Sequence, residues 1–88
     1  MTVTNPKRGD RIALVSLARA VRMAASGDAR HVREASGVAL APMSRATGVS
    51  TATLSRWERG LCRPSGAAAV RWVELLDQLR ETGARDAS

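Results

Sequence analysis

A single glycine constrains this chain more than any other feature. Gly48 stands between two short runs of helical spacing, about Ala41 to Thr47 and about Ser50 to Arg59. Pro42 sits where a first helical turn tolerates a missing N–H, and Met43 and Ala46 fall on the inward side of the first run. Gly48 supplies the tight turn and Val49 an apolar turn residue. Ser50 then serves as N-cap of a second run that carries Leu54 and Trp57 inward. A helix, a turn and a helix therefore follow one another within a short stretch, and the rest of the chain has to cover their apolar sides.

The remaining segments read as helices of the same kind. Residues 1–9 are expected to form a flexible basic arm, broken by Pro6 and Gly9 and charged by Lys7 and Arg8. From Asp10, a capping residue, Leu14, Leu17, Ala18, Val21, Ala24 and Ala25 recur at helical spacing and predict a helix over about Arg11 to Ala25. Ile12 and Met23 fall on its other side, so this helix is apolar on more than one face and is expected to pack against two surfaces, one of them another subunit. Ser26, Gly27 and Asp28 punctuate the chain, with Asp28 as the next cap, and a short helix from about Ala29 to Ser36 ends at Gly37. Beyond Pro64, Ala69, Trp72, Val73, Leu76 and Leu79 form another stripe, widened by Leu75, opposite Arg71, Glu74, Asp77, Gln78 and Glu81. A closing helix from about Ser65 to Glu81 follows, then a frayed tail over residues 82–88. The expected fold is all-α, a compact bundle of about five helices in one domain spanning residues 10–81, with one helix added at its N-terminal end.

Charge and inventory narrow the function. Residues 1–63 carry eleven Lys or Arg against four acids, a net of +7, while residues 64–88 carry three against four, a net of −1. Thirteen of the fourteen cations are Arg. Arg pairs with phosphate in a bidentate fork and reads guanine edges, so a polyanion is the expected partner of the first two-thirds of the chain. One His, one Cys and no Tyr provide no nucleophile and base pair, no metal cluster and no small-molecule chemistry. Cys62 stands alone, without an intramolecular disulfide partner or zinc-ligand spacing, and His31 reads as a surface residue. Neither a membrane-length apolar stretch nor a signal-like start is present, which makes the chain cytoplasmic on this reading. No enzyme activity, cofactor or metal is expected.

Several residues carry a closer likeness. The run Arg33-Glu34-Ala35-Ser36-Gly37, then Gly48-Val49-Ser50, then Leu54-Ser55-Arg56-Trp57-Glu58-Arg59-Gly60, then Arg63-Pro64, resembles the lambdoid phage repressor and Cro family of helix-turn-helix domains, also called XRE-like. The resemblance spans about Ala29 to Leu79, without gaps through the central motif. It departs from the family where a capping Ser and a DNA-facing Gln usually open the second helix, since this chain has Ala39 and Leu40. That departure weakens or removes a phosphate clamp. Ser44 stands where a small Ala is usual and Thr47 where a Leu is common, which predicts looser packing there. The helix before Gly27 lies outside the resemblance.

The resemblance implies a lambda-repressor-like fold and sequence-specific binding of double-stranded DNA. A recognition helix enters the major groove by its N-terminal end, so Thr51, Ala52, Ser55 and Arg56 reach base edges, with Arg56 suited to bidentate contact with guanine. Thr51, Ala52 and Arg56 also match base-reading positions of the family. Phosphate contacts are expected from Arg45, Thr53, Arg59 and Arg63, of which Arg59 and Arg63 have the family's support. The family also implies an ion pair between Arg33 and Glu58. Two copies related by a two-fold axis would set recognition helices about 34 Å apart, one DNA turn, so a homodimer is expected, its interface supplied by the N-terminal helix through Ile12 and Met23, which is favoured, or by the closing helix around Trp72 to Leu79. The functions that fit are a transcriptional repressor, a Cro-like switch or an antitoxin-type autoregulator. The alternatives are a DNA recombination cofactor and a protein-interaction module on the same fold with weak or no DNA binding.

Overall fold

A computed structural model describes residues 8–86 of the chain. Five α-helices follow in order: α1 Arg8–Ser26, α2 Asp28–Ala35, α3 Leu40–Thr47, α4 Thr51–Glu58 and α5 Gly66–Asp86. There is no strand among the described residues, so the architecture is the all-α bundle expected. Among those residues no helix is long and apolar enough to cross a membrane. Of the expected basic arm, Arg8 and Gly9 open α1, and residues 1–7 lie outside the described residues. Residues 82–86 of the expected frayed tail continue α5 as helix, and residues 87–88 lie outside the described residues.

The three middle helices have eight residues each and hold their shape through what they pack against rather than through intrinsic propensity. Met43, Leu54, Trp72, Val73 and Leu76 are fully buried, joined by Ala29, Val32, Val49, Trp57 and Ala69 in one core. Trp57 of α4 meets Trp72 of α5 with ring centroids 5.1 Å apart and planes tilted by 58°. A tilted pair at this spacing contributes about 0.5–1.5 kcal/mol beyond its buried area. The indole N–H of Trp72 is buried with no hydrogen-bond partner among the described residues.

Two capping expectations differ in the structure. Asp10 lies inside α1 rather than before it. Asp28 is the first residue of α2 rather than its cap: Gly27, at φ 85°, takes the capping position without a side-chain bond, and the Asp28 amide donates to Ser26 Oγ at 3.2 Å. A left-handed residue redirects the chain between α1 and α2 within one position, which a side-chain cap does not require.

The inward face of α1 also differs. Ser16, Ala20, Met23 and Ala24 are buried, with Ala13, Leu17 and Val21 half-buried, while Leu14 and Val15 are 64% and 61% exposed and Ala18 and Ala25 are exposed. Met23 therefore belongs to the core and not to an outer surface, and Leu14 belongs outside. α1 packs chiefly on α5. The large aliphatic groups of the first half of α1 are left outward. Ala46 of α3 is likewise exposed, and its neighbour Thr47 is the inward residue, only 1% exposed.

α1 is fastened to α5 by Arg19, whose guanidinium donates to both carboxylate oxygens of Asp77, at 2.8 and 2.5 Å. These hydrogen bonds, aided by the charges of Arg19 and Arg80 and opposed by burial, hold the Asp77 carboxyl below the usual carboxylate range. A lowered folded-state value means the pair's contribution is fully present above the unfolded value, about pH 4, and is lost as pH falls through the folded value below it. Both side chains are a third or more exposed, so solvent screening limits the effect to under about 1 kcal/mol. Urea unfolding is expected to show Asp77→Asn less stable than the native chain at neutral pH. The gap should close as pH drops below about 4. A gap independent of pH would contradict this assignment.

Candidate nucleic-acid interface

The turn between α3 and α4 is built from local chemistry. Gly48, at φ 77°, closes α3 in the left-handed region, where a side chain would be strained. Ser50 has extended backbone, and its hydroxyl accepts the Thr53 amide at 3.1 Å while donating to Thr53 Oγ1 at 3.0 Å. Buried Thr47 donates its hydroxyl to the Met43 carbonyl at 2.8 Å and accepts the Val49 amide at 3.3 Å. A satisfied hydroxyl thus replaces a buried apolar side chain at this corner. Arg71 of α5 donates two hydrogen bonds to the Thr47 carbonyl, at 3.2 and 3.0 Å, and places a cation at the C-terminal end of α3.

α4 is held from behind as well. Leu54, Trp57 and Glu58 are buried at i, i+3 and i+4, the spacing of one helix face. Glu58 receives Arg33 Nε at 2.6 Å and a terminal guanidinium nitrogen at 2.9 Å, and the other terminal nitrogen reaches the Val38 carbonyl at 2.7 Å. The side chains of Arg33 and Glu58 are 12% and 4% exposed. This is the ion pair that the sequence resemblance implied, and it ties α2 to α4. The hydrogen bonds to Glu58 raise the Arg33 pKa further above its ordinary value.

The candidate DNA-reading residues occupy the other side of α4. Thr51, Ala52 and Arg56 are exposed, and Ser55 is half-buried beside them. Of the candidate phosphate residues, Thr53 is half-buried at the cap. Exposed Arg59 follows the helix and donates Nε to the Ser55 carbonyl at 3.4 Å, and exposed Arg63 lies in the next loop. Arg45 is exposed on the last turn of α3. Ala39 opens α3 without a side-chain capping bond, as the sequence anticipated, and Leu40 beside it is half-buried. Ser55 and Arg59 share a cleft with Arg30, Arg33, Leu40 and Glu58.

Sequence reasoning passed over three residues here. Helical spacing puts Arg71 on the solvent side of α5, and nothing in that spacing marks it as the partner of a carbonyl in α3. Leu61, 66% exposed in the loop after α4, carries no periodic signal. Arg30 stands one helical turn before Arg33, and that spacing is the signal by which it could have been found.

Two short helices joined at a glycine turn, the second held by its apolar side and presenting polar residues outward, define a helix-turn-helix unit of the DNA-binding class. A family model described as a helix-turn-helix domain matches residues 24–85. The chain belongs to that family, and most of α1 precedes the matched region. No curated protein and no solved structure matches the chain.

Proposed function

We propose that this chain is a sequence-specific regulator of transcription, a repressor or Cro-like protein that places α4 in the major groove of double-stranded DNA. The observation that carries the reading is the division of α4 into two faces. Leu54, Trp57 and Glu58 fix one side to the core, leaving Thr51, Ala52 and Arg56 exposed together on the other, with Ser55 at their edge. Arg56 reads guanine and Ala52 offers apolar contact to a thymine methyl. Arg45, Arg59 and Arg63, with Thr53 at the start of the helix, contact the phosphates that set its register. Arginine supplies nearly all the positive charge, in keeping with a polyanionic partner.

Titration of duplex DNA with the chain at rising salt tests this reading. Affinity is expected to fall about tenfold or more between 50 and 200 mM salt, since each phosphate contact releases condensed counterions. Absence of DNA binding at every salt concentration would reject the reading in favour of a protein-interaction module.

We also propose that the regulator acts as a homodimer, because one short recognition helix reads few base pairs and a two-fold pair reads twice as many. The exposed Ile12 and Val15 of α1, one helical turn apart on the same face, supply an apolar surface for it; core-bound Met23 does not. Sedimentation is expected to show a dimer, alone or on DNA, that Ile12→Glu with Val15→Glu dissociates without lowering the melting temperature of the fold. A native monomer on a site lacking an inverted repeat would contradict it.

A further inference from the structure

α2 lies outside the helix-turn-helix pair, yet it contributes to a cleft that opens beside α4. Arg30 and Arg33 come from α2, Leu40 from α3, and Ser55, Glu58 and Arg59 from the end of α4. Three guanidinium groups thus border one small space. Arg33 is neutralised there by Glu58 through two hydrogen bonds. Arg59 donates only to a backbone carbonyl, at 3.4 Å. Arg30 meets Glu34 one turn along its own helix at 3.4 Å, with both side chains 55% exposed, an arrangement that water and salt screen readily. Two cations therefore face a cleft whose acid, Glu58, is already engaged. Leu40, which also lines the cleft, brings no hydrogen-bonding side chain.

We propose that this cleft seats one phosphate of the DNA backbone, held by Arg30 of α2 and Arg59 at the end of α4. The inference rests on DNA binding by α4 and adds a contact from a helix not otherwise assigned to the interface. Chemically the site suits a phosphodiester: the guanidiniums of Arg30 and Arg59 donate to its oxygens, and Ser55 supplies a hydroxyl at the edge. Arg30 positions the domain and reads no base, because a phosphate carries no sequence information directly.

The test compares salt dependence of binding to random-sequence duplex DNA for the native chain, Arg30→Gln, Arg30→Lys and Arg80→Gln. Each phosphate contact contributes about 0.9 to the slope of log affinity against log salt, so Arg30→Gln is expected to reduce the slope by about one. Arg30→Lys, which keeps the charge, should retain most of it. Arg80→Gln removes the same charge from α5, away from this cleft, and should leave the slope at the native value. All variants should keep the native melting temperature, since exposed pairs contribute little to the fold. An unchanged slope in Arg30→Gln, or equal reductions in Arg30→Gln and Arg80→Gln, would overturn the seat while leaving DNA binding by α4 intact. A native chain that binds no duplex at any salt would reject the function itself, and the seat with it.

Discussion

Glu58→Gln is expected to destabilise the fold by about 3–5 kcal/mol. The carboxylate is 4% exposed and takes two nitrogens of Arg33, whose own side chain is 12% exposed. An amide of the same shape removes the negative charge and leaves a buried guanidinium to face a dipole that accepts at one end only. Desolvation of Arg33, previously offset by the partner charge, is then uncompensated. The pair also joins α2 to the recognition helix, so the loss spreads to the element that presents Arg56. Chemical unfolding would report a lower midpoint with little change in slope, as expected when stability alone changes. Replacing both residues by apolar ones of similar size should recover much of the loss, because a buried pair contributes little relative to well-packed hydrophobic groups. A Glu58→Gln chain with the native midpoint would show that the pair is solvated in solution.

The Arg33 and Glu58 contact is legible in the sequence through likeness to a family. The inward face of α4 was legible from spacing alone, with Leu54 and Trp57 both buried. Segments with few apolar residues leave little choice of face. α1 offered too much choice: alanine and aliphatic residues surround it, and a stripe through Leu14, Ala18 and Ala25 matches helical spacing as well as one through Ser16, Ala20 and Met23. Packing against α5 and α2 decided between them, burying Ser16, Ala20, Met23 and Ala24 and leaving Leu14 and Val15 exposed. Thr47 misled in the opposite sense. Its hydroxyl suggested looser packing, yet bonds to the Met43 carbonyl and the Val49 amide make it a fully satisfied core residue. The exposed side of α4 followed from the same periodicity that identified its core. The cleft formed by Arg30, Leu40 and Arg59 did not, because three helices meet there and no local pattern records their approach.

Arg56→Ala is expected to cost about 1–3 kcal/mol on a preferred DNA site and to relax base choice at one position, whereas Arg63→Ala should weaken every sequence alike. The difference follows from where the two side chains stand. Arg56 is exposed on α4 beside Ala52 and Ser55, and Arg63 lies in the loop that leaves the helix. A guanidinium in the groove makes paired hydrogen bonds to one guanine, and its loss is felt only where that guanine is present. One at the backbone meets the same phosphate in every sequence. Selection from a random DNA pool, carried out in parallel with the native chain and the two variants, measures both properties together. The account predicts one enriched site for the native chain, the same site at lower affinity for Arg63→Ala, and a site degenerate at a single position in each half for Arg56→Ala. No enrichment by the native chain, or an identical enriched site for all three proteins, would contradict the claim that α4 reads DNA through Arg56.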